Sequence, residues 1–85
     1  MFQIVVVRKA VKFLRSLPKE YKEVVKRYLA KLTNELRPRE AIRLKQMDEC
    51  FRIRIGPFRV QYHIDEKAKN IIVYKISRRD ETTYE

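Results

Sequence analysis

The sequence predicts a compact α+β domain: an N-terminal strand, two helices, then three antiparallel strands, with both helices on one face of the sheet. Three observations carry this reading. Apolar residues form a β-branched run at the start, recur at helical spacing between Val7 and Leu36, and alternate with polar ones from Phe51 to Ile55 and from Phe58 to Ile64. Gly56–Pro57 and the polar stretch 65–70 supply turns between the alternating runs. Eighty-five residues leave room for one hydrophobic core, so residues 1–85 are read as a single domain.

The elements follow in order. Phe2 to Val7 (FQIVVV) reads as a strand buried on both faces. Val7, Val11, Leu14 and Leu17 then fall at helical spacing, and Pro18 is well placed as the first residue of a second helix. In that helix Tyr21, Val24, Val25, Tyr28, Leu29, Leu32 and Leu36 form one apolar stripe, so the two tyrosines are read as core. Arg37 and Pro38 close it, because the residue before a proline is disfavoured in helix. A polar connection runs from Arg39 to Glu49. Phe51, Ile53 and Ile55 alternate with Arg52 and Arg54, and after the Gly56–Pro57 turn Phe58, Val60, Tyr62 and Ile64 alternate with Arg59, Gln61 and His63. Ile71 to Ile76 is the last strand, followed by a polar tail, Arg78 to Glu85.

Composition narrows the function. Lys and Arg number 21 against 11 Asp and Glu, a formal charge of +10, which on so small a surface attracts nucleic acid, anionic lipid or an acidic protein. No stretch approaches the roughly 20 apolar residues of a membrane-spanning helix. Met1 to Val7 is too short for a signal-peptide apolar region, and the single Cys50 cannot form an internal disulfide. These features predict a soluble cytoplasmic protein with no membrane association. No His, Cys or acidic cluster suits a metal, and no cofactor is expected. Cys50 reads as a small buried or edge residue.

Side chains point to opposite faces at each step of a strand. If the two alternating runs pair as a hairpin, Arg52, Arg54, Arg59, Gln61 and His63 share the face away from the core. Guanidiniums on adjacent strands repel unless an anion sits between them, and the arginine fork is suited to phosphate. An ordinary solvated face, with basic residues guarding the strands, is the alternative. Lys45 upstream and Arg78, Arg79 and Tyr84 downstream can converge on the same surface. His63 reads as an exposed sheet residue, with a general base as the sharper alternative.

Segment 43–84, RLKQMDECFRIRIGPFRVQYHIDEKAKNIIVYKISRRDETTY, resembles the RelE group within the RelE/ParE toxin superfamily. The matching steps come in order: R-L-K before the second strand, aromatic-R-I-R-I on it, G-x-aromatic-R-V-x-Y after the turn, then a basic pair and a terminal tyrosine. The strand and two helices of the first half agree in kind. The resemblance implies a type II toxin that cuts messenger RNA in the ribosomal A site, by attack of a ribose 2′-OH on the neighbouring phosphate. It implies a metal-independent endoribonuclease that inhibits translation, with the ribosome, messenger RNA and a cognate antitoxin as partners.

By the same resemblance, Arg59 corresponds to the arginine that holds the scissile phosphate. Arg79, or Arg78 one position away, corresponds to the basic residue after the last strand. Tyr84 corresponds to a tyrosine that stacks on a base or aids proton transfer. Lys45, Arg52 and Arg54 fall where the family places its other basic groups, with Arg52, Arg54 and Arg78 read as RNA-binding. Some relatives carry lysines at the second-strand positions. An arginine side chain stays protonated and makes a poor base, so Lys45 is assigned the proton and Arg59 and Arg79 the transition-state charge. Two other functions fit the same architecture. ParE-like toxins poison DNA gyrase by binding it, and a non-catalytic relative would bind RNA without cutting. The basic set and terminal tyrosine favour the ribonuclease.

Overall fold

A computed structural model describes residues 1–79 of the 85. The order is β1 (Gln3–Val6), α1 (Arg8–Arg15), α2 (Lys19–Leu32), β2 (Ile42–Arg43), β3 (Cys50–Ile55), β4 (Phe58–Asp65) and β5 (Asn70–Arg78). The strands form one mixed sheet in the order β1-β5-β4-β3-β2, with β1 parallel to β5 and every other pair antiparallel. Ala10, Leu14 and Leu17 from the first helical segment and Val25, Leu29 and Leu32 from α2 pack on Phe51, Ile53, Ile55, Phe58, Val60, Tyr62 and Ile64. Both helices therefore cover one face of the sheet, as the alternation requires, and leave the arginine face uncovered.

Several boundaries differ from expectation, each for a physical reason. β1 is an outer strand rather than one buried on both faces. Ile4 and Val6 turn towards the helices while Val5 is 40% exposed, because only β5 flanks it. α2 ends at Leu32, four residues before the apolar stripe does, where the Thr33 hydroxyl donates to the Ala30 carbonyl and offers the backbone an alternative to helix. The stripe is also narrower than its spacing suggests. Tyr21 and Val24 are 41% and 46% exposed, although the Tyr21 ring still meets Phe58 edge to face at 5.4 Å. Tyr28 is half-buried and its hydroxyl donates to Glu40. The polar connection contains a short strand, β2, paired with β3 at Ile42↔Arg52 and Arg43↔Phe51.

One irregularity bears on the site. Between Gln61 and Tyr62 the pairing with β5 slips, so that Gln61 faces Lys75 while Tyr62 faces Val73, and Tyr74 is the extra residue. Strict alternation after Ile71 and Val73 would turn Lys75 into the core and Ile76 out of it. The bulge reverses this. Ile76 is 6% exposed in the core, and Tyr74 and Lys75 both stand outside it. A charged side chain unpaired in the core would cost far more than one unpaired backbone position.

Candidate functional site

The β3–β4 hairpin sets the site. Gly56 adopts φ +59°, a left-handed conformation that favours glycine, and lets the chain reverse beside Pro57. The register places Arg54 directly opposite Arg59, and Arg59 opposite Ser77 of β5. At the end of β5, the Arg79 N–H donates to the Pro57 carbonyl at 2.9 Å, and its guanidinium lies 3.4 Å from the Gly56 carbonyl. Arg78 falls on the helix side of the sheet, over the Phe58 ring at 5.5 Å. Phe58 is held in turn by Phe13, edge to face at 5.9 Å.

Arg54, Pro57, Arg59, Arg78 and Arg79 line an open cleft of about 470 Å³ at this end of the sheet. Among the described residues, no carboxylate lines it. The Arg59 Nε is buried and has no hydrogen-bond partner among the described residues. A buried donor left unpaired is costly, and like charges directly opposite on neighbouring strands repel. Both penalties are relieved by an anion in the cleft. Carboxylates instead gather at the far end of the hairpin, where Arg37 donates to Glu49 at 2.6 Å and to Glu66 at 2.8 Å. That hydrogen bond holds the Glu49 carboxyl below its ordinary value of 4.5.

The other predicted residues divide by position. Arg52 stands on the uncovered face, opposite Gln61 and two residues from Arg54. Lys45 is exposed in the turn after β2, where Leu44 N–H bonds the Cys50 carbonyl. Arg54 is four residue steps along β3 from Cys50, about 13 Å, and Lys45 is not among the residues that line the cleft. Tyr84 lies outside the described residues. His63 has its Nδ1 at 3.5 Å from the Cys50 sulfur, and Cys50 is buried, 4% exposed, on the uncovered face. The buried Tyr74 hydroxyl makes no well-formed hydrogen bond beside them, and burial, with the neighbouring thiol, pushes it up to about 12. Sequence reasoning missed Lys75 and Tyr74, because the bulge that turns Lys75 outward leaves no mark in the alternation.

A larger groove, about 580 Å³, lies on the opposite side between the helices and β1. Its floor includes Ile4, Val6, Leu14 and Leu29, and Arg15, Lys22 and Lys26 line it as well. It has the character of a docking surface, whereas the chemistry that suits phosphate is concentrated in the arginine cleft.

The profile of a family described as ParE toxin of type II toxin-antitoxin system, parDE, matches residues 4–83. The chain belongs to the RelE/ParE superfamily of type II toxins. It is 37% identical over 82 residues to RelE1 of Methanocaldococcus jannaschii, covering 93% of this chain and 91% of that one. Its fold is similar to RelE in the archaeal RelE–RelB complex of Pyrococcus horikoshii OT3, with a TM-score of 0.81 at 29% identity, covering 95% and 98% of the two chains. Isolated E. coli RelE has the same fold, with a TM-score of 0.83 at 18% identity, covering 96% of this chain and 88% of that one. Among the described residues, no helix is long and apolar enough to cross a membrane.

Proposed function

We propose that this toxin is a ribosome-dependent endoribonuclease that cuts messenger RNA in the A site. The observation that carries the reading is the arginine cleft itself, in which, among the described residues, no carboxylate joins the lining and the buried Arg59 Nε has no partner. In the reaction the ribose 2′-OH gives its proton to a base as its oxygen bonds to the adjacent phosphorus, the phosphorus–O5′ bond breaks, and the departing O5′ takes up a proton. Negative charge grows on the phosphate oxygens, and Arg54, Arg59 and Arg79 stabilise it from fixed positions. Tyr84 is assigned base stacking or proton transfer, and Arg52 and Arg78 backbone binding. The assignment of Lys45 to proton removal is tested by Lys45→Ala. Its place a strand's length away argues for a contact to RNA or ribosome instead, in which case the variant cuts defined messages with a higher KM and an unchanged kcat.

The partner proposed is a cognate antitoxin, in line with the RelE–RelB complexes formed by relatives. An acidic, amphipathic segment suits both the apolar floor of the helix-side groove and the cations lining it. A bound antitoxin that leaves cutting at full rate would count against this.

The test is primer extension on a defined message during cell-free translation, beside a control with ribosomes kept off the message. The expected result is cuts at codon positions that vanish in the control. An intact message with normal protein synthesis sinks the nuclease. The ParE description of the family match supports a second reading, inhibition of DNA gyrase by binding. It predicts blocked supercoiling with every message left whole.

A further inference from the structure

We propose that Arg52, Gln61 and Lys75 form a second RNA subsite, which holds the phosphate next to the one bound at Arg59; this rests on the RNA-cutting reading above. Arg52 is the register partner of Gln61 on β4, and Gln61 that of Lys75 on β5. The three therefore form a row across the uncovered face, parallel to the row Arg54–Arg59–Ser77. The rows are two residues apart along the strands, about 7 Å. That step is comparable to the distance between neighbouring phosphates of an extended RNA strand, which such charged, uncovered sheet faces are able to track.

The chemistry of the row fits an anion. Arg52 and Lys75 are separated by two strand spacings, about 10 Å, so their long side chains can close on one phosphate from both sides. Gln61 between them is neutral, and its amide donates to a phosphate oxygen or accepts from a ribose hydroxyl without adding repulsion. All three residues are half-buried on that face, so the sheet restricts where their side chains can go. Lys75 reaches this face only through the bulge at Tyr74. On either side of the row, from Arg54 to His63, the described residues of the uncovered face present cations and neutral groups and no carboxylate.

Two 2′-O-methyl oligonucleotides, which lack the attacking hydroxyl, provide the test: a dinucleotide with one phosphate and a trinucleotide with two. Affinity is read by fluorescence anisotropy across a salt series, on wild type, Lys75→Gln, Lys75→Arg and Gln61→Ala. Each phosphate contact to a single strand adds about 0.7 to the slope of log affinity against log salt. Lys75→Gln is expected to lower the trinucleotide slope by about 0.7 and to leave dinucleotide binding alone, with Lys75→Arg restoring the slope. Gln61→Ala is expected to weaken the trinucleotide only. A trinucleotide slope unchanged in Lys75→Gln, or an equal loss on both oligonucleotides, overturns the subsite while the nuclease reading stands. Wild type that binds neither oligonucleotide overturns the subsite, and the ribosome-dependent cutting is then decided by primer extension. Wild type that binds both, with the Lys75 increment, yet leaves messages whole keeps the subsite and sinks the nuclease.

Discussion

Arg59 illustrates how a single side chain carries an opposing set of demands. Its Nε is buried without a partner among the described residues, and its strand position is opposite Arg54. Neither feature helps the empty protein fold. Arg59→Ala is therefore expected to lower the cutting rate by on the order of 10²–10³-fold, the effect of losing one fixed donor at a developing oxyanion. Its urea midpoint is expected to stay level or to rise, because a like-charge pair across β3 and β4 is removed. Primer extension and urea unfolding on the same preparation read both quantities. A parallel fall in stability and cutting would reassign Arg59 to a structural role. Lys45 is the contrasting residue, since its type suits proton transfer but its position at the far end of β3 does not suit this cleft.

At the scale of elements, the β3–β4 hairpin is fixed at both ends by different devices. At the cleft end Gly56 holds φ +59°, and a methyl group there would meet no atom within 4 Å. Gly56→Ala consequently costs backbone energy alone, about 1–2 kcal/mol, read as a lower urea midpoint at unchanged slope. The Gly56 carbonyl also meets the Arg79 guanidinium, so cutting falls more than the stability loss explains. At the other end Arg37 bridges Glu49 and Glu66, joining the segment after α2 to both strands of the hairpin. The depressed Glu49 carboxyl gives a sign to the pH dependence. Because its folded value lies below its unfolded value, the pairing contributes fully above the ordinary 4.5 and is lost as pH falls through the folded value. Arg37→Gln is expected to flatten the loss of stability in that acid window. An identical acid profile in wild type and variant would show that the exposed bridge contributes nothing measurable.

Over the whole molecule, one face of a five-stranded sheet is committed to stability and the other to charge. A domain of this size has a few kcal/mol in hand, so the core tolerates little. Ile53 is 1% exposed beneath the helices, and Ile53→Ala is expected to cost about 2–5 kcal/mol. Cutting and RNA binding should then disappear together with the folded signal in circular dichroism. Retention of a cooperative unfolding transition at the wild-type midpoint would mean the sheet repacks. The formal charge of +10 is spread over both sides. Arginines concentrate at the cleft, while Arg15, Lys22 and Lys26 line the apolar groove, so the proposed RNA site and the proposed antitoxin site lie on separate surfaces.

The sequence by itself determined the α+β class, the order of the main elements, the core face of β3 and β4, and the gathering of Arg52, Arg54 and Arg59 on the other face. The reason is that period and burial are local: a side chain's face follows from its neighbours two or four residues away. The ordered motifs from Arg43 to Tyr84 also carried the family. What the tertiary structure decided was everything dependent on which strand lies beside which. It made β1 an outer strand, drew Ile42–Arg43 out of the polar connection into a strand, and brought Arg79 to the Gly56–Pro57 turn. It also set Lys45 a strand's length from the cleft. Lys75 is the clearest instance. Strict alternation places it in the core, and only the slipped pairing of β5 against β4, which avoids burying an ammonium, turns it to the face that carries Arg52, Arg54 and Arg59.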